Sequence, residues 1–254
     1  MDINSSLSIR RGGRVLRNPS KESDIVVVEE RPVKTDKPIL LTGFQDMGLI
    51  GVVAISHIIG SLKLEEVGYL KSRFIPTIKV IVGSEFRTVN SFRLYKNSTG
   101  NMLVLLNDSP TGLMGLSPFF NDIGRALADW LKKKDVRLVV ALGSYLLQKD
   151  EKPVLVAFTK DSERMEELKK LDVKPLQQGV IGGLIVSIID ECIEKRIPWL
   201  MLFAPTTKIG EIDNEGTQMM IEGVNKIMGL NIEAPSFRPI VGEKKRSIRS
   251  LIRR

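Results

Sequence analysis

A strand, a glycine turn and a helix can be read directly from residues 38–61, and that run limits the fold more than any other part of the chain. Ile39-Leu40-Leu41-Thr42 is a short apolar run, as expected for a strand covered on both faces. Gly43 follows it, and a largely apolar helical segment is expected over Met47–Leu62. Gly43 and Gly48 have the G-x-x-x-x-G spacing of a phosphate-binding loop. Such a loop continues with Lys and then Ser or Thr, which hold the phosphates and Mg²⁺. Here the next two residues are Leu49 and Ile50. A dinucleotide turn also fails, because Gln45 stands where its second glycine belongs. Two readings follow. The backbone N–H groups at the helix start could accept an anion. Alternatively, the glycines make a tight turn and let the helix pack closely on a neighbour, and this second reading is preferred.

The rest of the chain alternates strand and helix patterns. Strands are expected at Ile25–Glu29, Glu66–Leu70, Thr77–Val82, Arg137–Leu142, Val154–Phe158 and Trp199–Phe203. Glu85–Tyr95 and Met102–Leu106 flank a turn-rich segment and read as a hairpin. Helices are expected over Pro118–Lys134, Asp161–Leu171, from the Val180-Ile181-Gly182-Gly183 run to Arg196, and over Asn214–Met228. This order predicts a three-layer α/β/α fold, with a mostly parallel sheet and an inserted β-hairpin. The expected division is an N-terminal arm at 1–23, a single domain at 24–235 and a basic tail at 236–254.

Charge sharpens that division. The net charge is +8, with +3 in residues 1–20 and +6 in residues 236–254, which leaves the body near neutral. Basicity confined to arms argues against a nucleic-acid-binding body, and the tail has no aromatic side chain past Phe237 for stacking on bases. No run of 18 apolar residues occurs, so no membrane partner is expected. The single cysteine, Cys192, rules out an internal disulfide and fits a reducing, cytoplasmic setting.

Little in the sequence offers catalytic chemistry. His57, the only histidine, lies mid-helix and reads as a packing residue. Cys192 sits among Asp190, Glu191 and Glu194, which would raise a thiol pKa. No zinc set is available, no metal spacing stands out, and no cofactor is expected. Asp213 reads as the N-cap of the last helix. Ligands of open parallel sheets sit at the carboxyl ends of the strands. A possible pocket there would use Gly43, Phe44, Gln45, Asp46, Gly48, Asn107, Asp108, Ser109, Gly143 and Ser144, with Tyr145, Gln178 and Gly179 beside them. Asp108 reads more simply as a turn residue, between Asn107 and Ser109-Pro110. The tail places Ile248, Leu251 and Ile252 at i, i+3 and i+4 in a basic surround, an arrangement suited to docking on a partner or to staying solvated.

Leu41-Thr42-Gly43-Phe44-Gln45-Asp46-Met47-Gly48-Leu49-Ile50-Gly51, with Val67-Gly68-Tyr69 after the helix, resembles the archaeal branch of the proteasome assembly chaperone family, second-chaperone type. Gln178-Gly179-Val180-Ile181-Gly182-Gly183, and Ala204-Pro205 ahead of the Asp213–Gly229 helix, extend the resemblance over roughly residues 24–235. The resemblance implies a nucleoside-phosphorylase-like α/β fold. It also implies homo-oligomers and an adaptor that meets the α-ring of the proteasome core particle, or its assembly intermediates, rather than an enzyme. Some members end in a hydrophobic-Tyr-any residue tail that docks in that ring. This chain ends Ile252-Arg253-Arg254, matching the hydrophobic position and departing at the tyrosine. The alternative is a nucleotide- or nucleoside-binding enzyme or ligase using the pocket above.

Overall fold

A computed structural model of the chain describes residues 24–82, 85–108 and 115–235. Both expected arms lie outside the described residues, as do Ser109 and the docking candidates Ile248, Leu251, Ile252, Arg253 and Arg254. The strands are β1 (Val26–Glu29), β2 (Ile39–Gly43), β3 (Glu65–Lys71), β4 (Thr77–Val82), β5 (Glu85–Asn90), β6 (Arg93–Lys96), β7 (Met102–Leu106), β8 (Leu138–Leu146), β9 (Val156–Phe158), β10 (Lys174–Pro175) and β11 (Trp199–Thr206). The helices are α1 (Ile50–Ser61), α2 (Phe120–Lys133), α3 (Ser162–Lys170), α4 (Leu184–Lys195) and α5 (Asn214–Met228).

Nine strands form one sheet in the order β1-β3-β6-β7-β2-β8-β11-β9-β10. Its centre, β7-β2-β8-β11, is parallel. On one flank β6, β3 and β1 each pair antiparallel with the neighbour before, and on the other β9 pairs antiparallel with β11. The centre is parallel because crossover helices link its strands; the flank is antiparallel because short turns link β6 to β7. Strand alternation sends Leu40, Leu103, Val139 and Met201 into one core with α2 and α4. It sends Leu41, Val104, Val140 and Leu202 into a second core with α1 and α5. Helices therefore cover both faces, the three-layer α/β/α arrangement expected from the element order. α2 shows the logic locally: Ile123, Leu127 and Leu131 recur at i, i+4 and i+8 and are fully buried, while Asp122 opens the helix and Lys132 and Lys133 close it, matching the helix dipole.

The inserted hairpin is present, but in a different pairing. The strand expected over Glu85–Tyr95 splits at Ser91-Phe92: β5 pairs with β4 in a separate two-stranded sheet, and β6 pairs with β7 in the main sheet. Phe92 causes the break, since its fully buried ring turns the chain back into the core. α1 starts at Ile50 rather than Met47, because Leu49 sits in the left-handed region at φ 53°. β8 continues four residues past the expected end at Leu142, held by its full-length pairing with β11.

Candidate functional site

The β2–α1 turn lies at the carboxyl end of the parallel strands. Gly43 and Gly51 are required there by contact: a Cβ on Gly43 would meet the Gly51 carbonyl oxygen at 2.6 Å, and one on Gly51 would meet the Leu142 carbonyl oxygen at 2.7 Å. These glycines bring the helix directly onto the strands. The helix start is already filled by an anion of the chain itself. Asp46 accepts the Ile50 N–H at 2.9 Å through one carboxylate oxygen and the Gly51 N–H at 3.0 Å through the other. Burial pushes the Asp46 pKa above the ordinary carboxylate value, against the pull of those N–H groups. The Ser144 hydroxyl is buried and makes no hydrogen bond of ordinary geometry, yet its dipole still favours the ionised Asp46.

A second loop locks this turn. Asp213 caps α5 by accepting the Gly216 N–H at 3.0 Å, and the Thr206 hydroxyl donates to its other oxygen at 2.7 Å. The Asp213 N–H donates to the Gly48 carbonyl at 2.9 Å. Gly48 packs against Thr206, where a Cβ would approach the hydroxyl to 2.6 Å.

Beside the turn is a cavity of about 940 Å³. Phe44, Gln45, Asp46, Gly143 and Ser144 stand on its wall, with Tyr145, Gln178 and Gly179. Gly43 and Gly48 lie behind the wall in the packed turn. Asn107 and Asp108 are not part of it. Arg93 of β6 donates to Asp108 at 2.5 Å and to the Tyr95 hydroxyl at 2.7 Å, so Asp108 is drawn toward the antiparallel flank. Asn107 is buried, and neither atom of its amide has a hydrogen-bond partner. The sequence reading missed Phe203, Leu176 and Leu184 on the wall. The register that sets Phe203 beside Gly143 could have revealed the first, because Gly143 leaves room for that ring.

The cavity wall is chiefly aromatic and aliphatic. Its charged members are Asp46 and Glu151, and no Lys, Arg or His lines it among the described residues. That chemistry suits an apolar, neutral or cationic group. A phosphate would meet two carboxylates and no counter-charge. Tyr145 closes one side by donating to the Val154 carbonyl at 2.9 Å, and burial pushes its phenol pKa up.

The remaining candidates are structural. Cys192 is buried in the α2–α4 core, where burial and the nearby Glu191 push its thiol pKa up to about 12. The thiolate is thus scarce near neutrality. His57 lies 2.7 Å from the Glu233 carbonyl and ties α1 to the end of the described chain. Among the described residues there is no group of three or more His, Cys, Asp or Glu that could hold a metal, and no helix is long and apolar enough to cross a membrane.

Comparison with known proteins adds the following. A family model described as the PAC2 family matches residues 40–239. An uncharacterized protein of Methanocaldococcus jannaschii is 28% identical over 207 residues, 81% of each chain. The structure of Pyrococcus furiosus PbaA, described as an archaeal homolog of proteasome-assembly chaperone, overlays with a TM-score of 0.72 at 22% identity and covers 84% of each chain. Pyrococcus furiosus PbaB, described as an archaeal proteasome activator, overlays with a TM-score of 0.68 at 19% identity, covering 84% of this chain and 92% of that one. At these identities the two structures speak for the fold.

Proposed function

Because the chain belongs to the PAC2 family, we propose that it is a non-catalytic, homo-oligomeric chaperone or adaptor of the cytoplasm that binds the proteasome core particle or its assembly intermediates. The observation that carries this reading is Asp46. The one loop with the outline of a nucleotide site holds the chain's own carboxylate on the helix N–H groups. Its glycines serve close packing. The descriptions of PbaA and PbaB as proteasome-linked proteins supply the partner class. In this reading the body supplies the oligomer surface. Ile248, Leu251 and Ile252, with Arg253 and the carboxylate of Arg254, dock on the α-ring.

Co-sedimentation of the full chain with proteasome core particles tests it. The full chain should pellet with the particles, and deletion of residues 243–254 should weaken pelleting. Unchanged pelleting after deletion removes the tail's role; a full chain that stays in the supernatant overturns the proposal.

The cavity favours one second reading, a small-molecule sensor or enzyme. Its lining points to neutral nucleosides over nucleotides. A ligand at about 100 times its Kd would stabilise the fold by ~2.7 kcal/mol. A thermal-shift panel at millimolar nucleosides that shows no change would reject this reading.

A further inference from the structure

Half of the large apolar side chains left exposed among the described residues stand on one rim. Met47, Ile81, Phe86, Leu146, Val180 and Ile209 belong to segments that leave the carboxyl ends of β2, β3, β8 and β11, or that lead into α4. On this rim two shapes stand apart, one convex and one concave.

The convex shape is the β4–β5 arm. Ile81 and Phe86 are direct cross-strand partners and so share a face, and they are 65% and 73% exposed. The next pair on that face is Lys79 and Thr88, joined by a 2.5 Å hydrogen bond. The arm is rooted by the buried Ile75 and Phe92 at its base. A lone two-stranded hairpin is at best marginally stable in water, so an arm carrying uncovered Ile and Phe is incomplete by itself.

The concave shape is the 940 Å³ cavity. It is walled by Phe44, Tyr145, Phe203 and Ile181, and its charges are both negative. The arm's apolar face carries one cation, Lys79, and no carboxylate. The two surfaces are therefore both apolar and carry opposite charge. They do not meet within one chain, since Ile81 and Phe86 remain exposed while the arm leaves the sheet between β3 and β6 and the cavity lies at β8 and β11.

We propose that the β4–β5 arm of one copy inserts Ile81 and Phe86 into the cavity of a second copy, with Lys79 meeting Asp46 and Glu151. Arm and cavity are different surfaces of the same chain, so the contact is head-to-tail. It closes a ring where the rotation between copies permits and otherwise runs on as a filament. The proposal deepens the homo-oligomer part of the function given above and is independent of the proteasome.

Light scattering on the full chain tests it with three proteins and one mixture. The unmodified protein should have a mass at least twofold that of one chain. Phe86→Asp, which sets a carboxylate against the acidic cavity, should fall to a single chain. Leu146→Lys with Val180→Lys, both at exposed rim positions, should do the same by opposing Lys79. Circular dichroism should show each variant folded. Mixing the two variants should restore a species of two chains, because the intact arm of the second fits the intact cavity of the first. An unmodified protein of single-chain mass, a variant that keeps the full mass, or a mixture that stays at single-chain mass would overturn the proposal. Core-particle pelleting is scored separately: its loss with self-association intact counts against the proteasome reading and leaves this one standing.

Discussion

Leu40 in β2 and Phe86 in β5 are both large apolar strand residues, yet the first is fully buried and the second is largely exposed. The parallel centre of the sheet is covered by helices on both faces, so each of its side chains answers to neighbours in the same chain. The β4–β5 arm has no such cover. Residues in the centre are explained by folding, whereas apolar residues on the arm need a reason outside the monomer. Five substitutions sharpen or break this contrast.

The largest effect is expected in the centre. Leu103→Ala removes a fully buried side chain from β7 and should cost about 2–5 kcal/mol in urea unfolding. A loss below 1 kcal/mol would mean that the centre is less tightly packed than its burial implies.

Next comes a pair within one helix. Gly51→Ala forces a Cβ against the Leu142 carbonyl and should cost about 1–3 kcal/mol. Gly60→Ala, in the same helix, meets open space and should add about 0.5–1 kcal/mol. Equal outcomes would show that helix propensity, rather than the approach of α1 to β8, decides both.

Asp46→Ala frees two backbone N–H groups and should cost about 1 kcal/mol at neutral pH. Its pH dependence has a fixed sign. The folded pKa lies above the ordinary aspartate value, so the native chain holds this proton where the unfolded chain has released it. That share of stability is full below the ordinary aspartate pKa and is lost as pH rises through the folded one. The gap between the native protein and Asp46→Ala should therefore widen as pH is lowered from 7 toward 4. A gap that narrows would contradict the burial of this carboxylate.

The smallest effect belongs to the arm. Phe86→Ala, measured by urea unfolding at concentrations low enough to dissociate any assembly, should change stability by no more than about 0.5 kcal/mol. A large loss would place the arm's ring in the monomer's own core and erase the contrast.

The same division governs how far the sequence could be read. Ile39–Gly43 and its glycine turn were legible because a strand buried on both faces leaves a short apolar run, and a helix pressed onto it needs small residues. Splitting Glu85–Tyr95 was not legible, because the break depends on Phe92 entering a core assembled from distant segments. β10 was missed since two residues carry no period. At the cavity, the strand-end rule found Phe44–Asp46 and Gly143–Tyr145 from topology alone. It misplaced Asn107 and Asp108. Their strand also ends at the rim, but Arg93 holds Asp108 from the flank, and that pairing depends on the β6–β7 register.

Asp46 has one more consequence, in terms of competition. A carboxylate fixed three residues ahead of Leu49 reaches the first N–H groups of α1 as a tethered ligand, with an effective concentration of millimolar or above. Any free phosphate must displace it and carry its own charge past a buried anion. The turn thus behaves as a receptor that is synthesised with its antagonist attached.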